Sequence, residues 1–270
     1  MSWCEKQIKS WEDFVLFVDR LKINEQGDLS WYFRGQSDAS WKLIPSLLRQ
    51  FINTAVTVER ALGIEFGAFR RFQSQFHLYS KADTIDRSKW GCVAWWMVMQ
   101  HYSCPTRLLD WSLSPYVALY FAIEHCPDRD GAVWLFPASA LEILITQKHG
   151  KFDQQDESIW ETNEIVSVLP VETVAHSERS AAQQGVFTVC THILSNHGDV
   201  IAEAFCSQED SHSLHKIVIP AEIKNDFLSR LRTMNITPGS LFPGLDGIGR
   251  AGRDYTRLRV WRTEMERKGR

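Results

Sequence analysis

Trp31-Tyr32-Phe33-Arg34-Gly35 is a run of three bulky aromatic residues that ends in a cation and a glycine. Aromatic side chains suit the pleated, half-buried surface of a strand, so the run reads as a strand that delivers Arg34 to its end, at an edge or a mouth. An arginine placed there must either pair internally or offer its planar fork to a phosphate or a carboxylate. Upstream, Ser10 is an N-cap before Trp11-Glu12-Asp13, and Phe14, Phe17, Val18 and Leu21 follow on one face. A helix is expected there to about Lys22, ended by the polar, Gly-containing residues 24–28.

Downstream, Leu62, Phe66, Phe69, Phe72 and Phe76 recur at three or four within residues 58–79, and Trp90, Val93 and Met97 repeat the pattern within 88–100. Both segments read as helices. Ser114-Pro115 opens another, because serine caps and proline fits the first turn, and it should end near His125. Short β-branched and aromatic runs at 131–136, 165–169, 185–190 and 216–219 read as strands. Residues 221–234 read as one more helix and 238–252 as turn-rich. Helices early and strands late predict an α+β layout, with a mostly helical N-terminal half and a strand-rich C-terminal half. No repeat or linker divides the chain, so one domain over residues 1–270 is expected.

Composition bounds the function. An apolar fraction of 44% and a charged fraction of 23% in 270 residues are those of a globular chain with an ordinary core, not of a disordered or fibrous one. No run reaches the roughly 18 apolar residues of a membrane span, and the first residues carry no signal-peptide pattern, so a cytoplasmic protein without a membrane partner is expected. Six cysteines lie without a Cys-x-x-Cys pair or a His at zinc spacing, which predicts reduced, mostly buried thiols and no metal. Net charge is −3, yet residues 250–270 hold eight Lys or Arg against Asp254, Glu264 and Glu266. That stretch reads either as a solvated helix with Leu258, Trp261 and Met265 packing inward, or as a nucleic-acid contact.

Gln100-His101-Tyr102-Ser103-Cys104-Pro105-Thr106-Arg107-Leu108-Leu109-Asp110-Trp111-Ser112 packs many hydrogen-bonding side chains between a helix end and a helix start. Such groups are costly to bury unless paired or bound to ligand. Arg107 and Asp110 read as a structural ion pair or as ligand contacts; Ser112 and Ser114 stand at a helix N-terminus that favours an anion. His101 is a general base or a structural donor. Gln183-Gln184-Gly185 reads as a turn into a strand.

The segments 32–38 (Tyr-Phe-Arg-Gly-Gln-Ser-Asp), 41–49, 100–102, 105–111, 114–122, 183–188 and 241–247 resemble the FRG domain family, across most of the chain. Ser103 stands where a glycine is more usual. FRG domains occur in bacteria and phages, often in genetic conflict, and look like divergent relatives of the ADP-ribosyltransferases. The resemblance therefore implies small antiparallel sheets with helices, and NAD as co-substrate without a metal. It assigns Arg34 to an early strand holding NAD, Ser112 to a middle strand, and Gln184 to the late position that orients the ribose or acceptor, with His101 as a further catalytic candidate. Gln36, Gln100, Arg107, Asp110 and Ser112 complete the NAD contacts with Arg34. Because Gln184 cannot act as a carboxylate, it only orients a hydroxyl, or Asp110 acts with it. The implied activity is ADP-ribosyl transfer by a toxin or effector of a toxin–antitoxin or anti-phage system, with RNA, DNA or protein as acceptor and an antitoxin or regulatory protein as partner. The alternatives are a non-catalytic module binding a nucleotide or nucleic acid, and an NAD glycohydrolase.

Overall fold

In the computed structural model, which describes residues 3–21, 31–79, 90–153, 156, 158–171, 177–207 and 214–269, strands and helices are interspersed along the chain. The order is β1 (Cys4–Gln7), α1 (Trp11–Asp19), β2 (Trp31–Gln36), α2 (Ser46–Phe51), α3 (Val58–Tyr79), α4 (Cys92–His101), β3 (Leu108–Ser112) and α5 (Pro115–Ile123). Then come β4 (Gly131–Pro137), α6 (Ala138–His149), α7 (Ser158–Thr162), β5 (Val168–Val171), α8 (Glu178–Ala182) and β6 (Gly185–Cys190). The chain continues through α9 (His197–Ala204), β7 (His215–Ile219), α10 (Lys224–Thr233), α11 (Pro238–Leu241) and α12 (Leu245–Lys268).

The strands form one seven-stranded sheet in the order β1-β7-β4-β2-β3-β6-β5, antiparallel except for the β1–β7 pair. A single mixed sheet replaces the several small sheets expected, and the expected division into a helical and a strand-rich half is overturned, because β1, β2 and β3 all lie early and α6 to α12 late. Long-range pairing decides this: β1 zips onto β7 through Cys4 with His215 and Gln7 with Val218, a partner no local pattern reveals.

Period-two alternation divides the strands between two cores. Phe33, Val133, Leu135, Ile217 and Ile219 face the layer of α1, α5, α10 and α12, with Phe14, Tyr120, Phe227 and Leu258. Trp111, Ala132, Trp134 and Phe136 face the layer of α4, α6, α7 and α9. Ser10 caps α1 by accepting from the Asp13 N–H at 3.2 Å, and Ser114 caps α5 by accepting from Val117 N–H at 3.3 Å. Both caps agree with the residue pattern. Residues 238–252, read as turns, are instead α11 and the start of α12. The expected strand at 165–169 is β5, shifted to Val168–Val171. Lys22, residues 24–28 and Ser88 lie outside the described residues.

The inward face of α3 also differs. Phe66 is 61% exposed, whereas Ala61 and Glu65 are buried. On α12, Leu258 is buried and Trp261 packs against the core, but Met265 is exposed. Several arginines of that helix serve the fold: Arg257 donates to the Ile123 carbonyl at 2.7 Å, and Arg250 and Arg253 pair with Glu124 at 3.2 and 3.3 Å. The six cysteines are free, and only Cys190 is fully buried, so the thiols are less buried than expected. Among the described residues no helix is long and apolar enough to cross a membrane.

Helix α5 lies against the sheet where side chains are absent. A Cβ on Gly35 would stand 1.8 Å from the Ala118 carbonyl oxygen, and one on Gly131 2.1 Å from that of Ala122. Both obstacles are backbone and cannot swing aside. Gly35→Ala is expected to cost about 3 kcal/mol or more of stability in urea unfolding, the upper range of overpacking. Gly63→Ala on the exposed face of α3, where an added Cβ meets nothing within 4 Å, should stabilise by about 0.5–1 kcal/mol.

Candidate functional site

Strands β2 and β3 share one ladder pair, Phe33 with Ser112. Beyond it, the next link between them is a side chain: Arg34 Nη1 donates to the Asp110 carbonyl at 2.6 Å and lies 3.7 Å from the Asp110 carboxylate. A cleft of about 630 Å3 opens at this place, within the size range of small-molecule sites. Arg34, Asp110 and Ser112 form part of its wall, with Gln100 and His101 from the end of α4. Among the described residues the buried Arg34 Nε has no hydrogen-bond partner, an unsatisfied donor that a water or a ligand atom would relieve. Burial lowers the Arg34 pKa, and the Asp110 carboxylate opposes that shift.

The remaining residues expected in the site divide sharply. Arg107 is 1% exposed and grips Glu65 of α3 with both ends of its fork, while Nη1 donates to the Thr191 carbonyl at 3.1 Å. It also stacks over Trp96, 4.9 Å from the ring centroid. Each of its three nitrogens is engaged inside the protein, and Arg107 neither lines the cleft nor pairs with Asp110. Gln36 is buried away from the cleft, and its Nε2 donates to the Lys42 carbonyl at 3.1 Å. Gln100 faces the cleft, but its Oε1 accepts from the Thr106 hydroxyl. Ser112 donates its proton to the Gln183 carbonyl at 2.7 Å and accepts from Ser114 N–H at 3.0 Å, leaving a lone pair and no proton for a ligand.

Gln184 is exposed in the turn before β6, with φ at +47°, and does not line the cleft. Its neighbour Gln183 does, held by an Nε2–H donated to the Leu241 carbonyl at 3.0 Å. Helix α8 adds Arg179 and Ser180 to the wall, a contribution unread in the sequence, although Ser177 is a legible N-cap that accepts from Ser180 N–H at 3.0 Å. Arg179 and Arg250 both stack on the buried Phe242, at 4.8 and 3.9 Å from its centroid, so the segment after α11 holds Arg179 in place. Phe76, Trp90, Tyr102, Phe121 and Phe187 supply aromatic surface. His101 stands exposed at the rim, its pKa lowered by desolvation and by the Arg179 charge, which favours the neutral imidazole. Ser103 has φ at +64°, the left-handed conformation that suits glycine.

Behind the cleft, Trp111 Nε1–H donates to the Thr188 hydroxyl at 2.8 Å, and Thr188 in turn meets His197 Nδ1 at 2.8 Å. His197 Nε2 lies 3.2 Å from the Arg107 carbonyl, which only accepts, so Nε2 carries the proton and Nδ1 accepts from Thr188. Burial pushes the His197 pKa down to about 3; the bond to the Arg107 carbonyl opposes this and the Arg34 charge adds to it.

Two stability measurements check this framework. Glu65→Ala leaves the Arg107 guanidinium buried and unpaired, and should cost about 3–5 kcal/mol in chemical denaturation. The unfolded chain protonates His197 below about pH 6.5 and the folded chain does not until about 3, so its contribution falls as pH drops through that window. Between pH 6.5 and 4 the wild type should lose about 3 kcal/mol more than His197→Gln.

Residues 29–131 match the model of the FRG domain family. The match ends at Gly131, so the segments 183–188 and 241–247 lie beyond it. Comparison with curated proteins and with solved structures returned no match. The motif that names the family has a distinct position for each letter: Phe33 in the core under α5, Arg34 in the cleft, and Gly35 beneath the α5 backbone. Over residues 29–131, less than half of its length, the chain is similar to the FRG domain family.

Proposed function

We propose that the cleft binds a dinucleotide of the NAD type and that the chain breaks its nicotinamide–ribose bond, transferring ADP-ribose to an acceptor. The observation that carries this reading is the meeting of Arg34, Arg179, Asp110 and aromatic surface on the wall of one 630 Å3 cleft. Guanidinium forks suit a pyrophosphate, and aromatic faces suit the two ring systems. The nicotinamide leaves with the electron pair of the broken C–N bond, and the ribosyl cation left behind lies where a carboxylate such as Asp110 offsets its charge. The acceptor supplies a lone pair and loses a proton, for which neutral His101 at the rim is the available base. Ser112 acts as a positioning residue in this scheme, joining the end of β3 to Gln183, and Gln183 takes the place assigned by resemblance to Gln184.

Asp110 makes the cleft suitable for this substrate because, among the described residues, it is the one carboxylate lining it. The acceptor class belongs to the same proposal. The internal pairs of Arg250, Arg253 and Arg257 leave fewer α12 cations for RNA or DNA, so a protein acceptor enters on equal terms. A toxin or effector role follows if NAD consumption or acceptor modification is unrestrained, and growth arrest on expression, relieved by Arg34→Ala, is its cellular sign.

The test is purified protein with labelled NAD and a cell extract, with nicotinamide release and label transfer followed separately. Arg34→Ala and Asp110→Asn should each lower both by about 100-fold or more, and Gln183→Ala should cost more than Gln184→Ala. Release without transfer identifies a glycohydrolase. Binding of NAD by the folded wild type without release identifies a binding module, and absence of binding overturns the reading.

A further inference from the structure

Next to the main cleft, and sharing Arg34, Gln100, Ser103 and Asp110 with it, is a second pocket of about 170 Å3. That volume is below the roughly 300 Å3 at which sites for whole small molecules begin, but it is room for a single phosphate-sized group. Arg49 of α2 lines this pocket and not the main cleft. Among the described residues Arg49 forms no ion pair, and Asp110 is already engaged by Arg34. Two guanidinium groups and one carboxylate thus line one small space.

The placement of Arg49 is built in. The α2 turn is tied to the loop before β3 by Thr106 N–H donating to Ser46 Oγ at 3.0 Å and by Leu47 N–H donating to the Thr106 carbonyl at 3.0 Å. Among the described residues the buried Arg34 Nε has no partner. Burial depresses the Arg34 pKa and the charge of Arg49 adds to that, a repulsion that an anion between them relieves.

We propose that this pocket is an oxyanion subsite for a phosphate monoester that the ligand carries in addition to its pyrophosphate, so that the preferred substrate is a phosphorylated dinucleotide and Arg49 sets that preference. This rests on the dinucleotide reading of the main cleft. Arg34, at the boundary, serves both compartments.

Calorimetric titration at constant ionic strength tests it, with NAD, its 2′-phosphorylated form and inorganic phosphate as separate probes on the wild type and on Arg49→Ala. Arg49 is exposed, and circular dichroism confirms that the variant is folded. The expected result is a Kd for the 2′-phosphorylated form about tenfold or more below that for NAD in the wild type, with the ratio falling to about twofold or less in Arg49→Ala. Equal affinities in the wild type, or a preference that persists in Arg49→Ala, overturn the subsite while leaving the dinucleotide reading standing. If neither dinucleotide binds but inorganic phosphate does, and Arg49→Ala abolishes that binding, the subsite stands and the dinucleotide reading falls. Failure of all three probes on folded wild type overturns both.

Discussion

The approach of α5 to the middle of the sheet is the constraint on which the remaining architecture depends. Gly35 on β2 and Gly131 on β4 let the backbone of Ala118 and Ala122 come closer than any side chain would permit. With the helix seated there, Phe33 is driven into the core beneath it and the alternation of the strand sends Arg34 to the opposite face. The far end of α5 is held by α12, through Arg257 on the last carbonyls and through the Tyr120 hydroxyl donating to the buried Asp254 at 3.1 Å. The basic C-terminal stretch is therefore in good part a clamp on this helix. Its charges satisfy carbonyls and carboxylates that would otherwise be buried without partners.

The two arginines near β3 illustrate how burial sorts structural from functional charge. Arg107 and Glu65 are both buried, and separating them would leave an uncompensated ion at a cost of about 3–5 kcal/mol. No ligand readily recruits a group held on those terms. The carboxylate of Asp110 is 59% exposed and 3.7 Å from Arg34, so that pair is worth about 1 kcal/mol or less. An incoming anion can exchange with it at little loss. The hydrogen-bonded chain from Trp111 through Thr188 and His197 to the Arg107 carbonyl holds the backbone of β3, so the weak pair is displayed on a stiff frame.

The same contrast explains the shape of the cleft. β2 and β3 pair at one position and then diverge, and the opening is walled by α4 on one side and by α8 on the other. Helix α8 is only five residues long, and its presentation of Arg179 comes from Phe242, far along the chain, beneath the guanidinium.

Local chemistry in the sequence determined much of this. The caps at Ser10 and Ser114, the full span of α3, the strands at Trp31, Gly131 and Gly185, and the Phe33-Arg34-Gly35 motif all follow from steric and hydrogen-bonding preferences of adjacent residues. So does the strand that carries Arg34 to the wall of the cleft. What required tertiary structure is whatever depends on a distant partner. Arg107 became structural because Glu65, 42 positions away, turned inward on α3 in place of Phe66. Gln183 rather than Gln184 lines the cleft, held there by the Leu241 carbonyl 58 positions away. The helical and strand-rich halves gave way to one sheet because β1 and β7 complete each other across the chain. Periodicity reports which face of an element is apolar; which charge finds a buried counter-charge, and which strand finds an edge, are settled only when the elements pack.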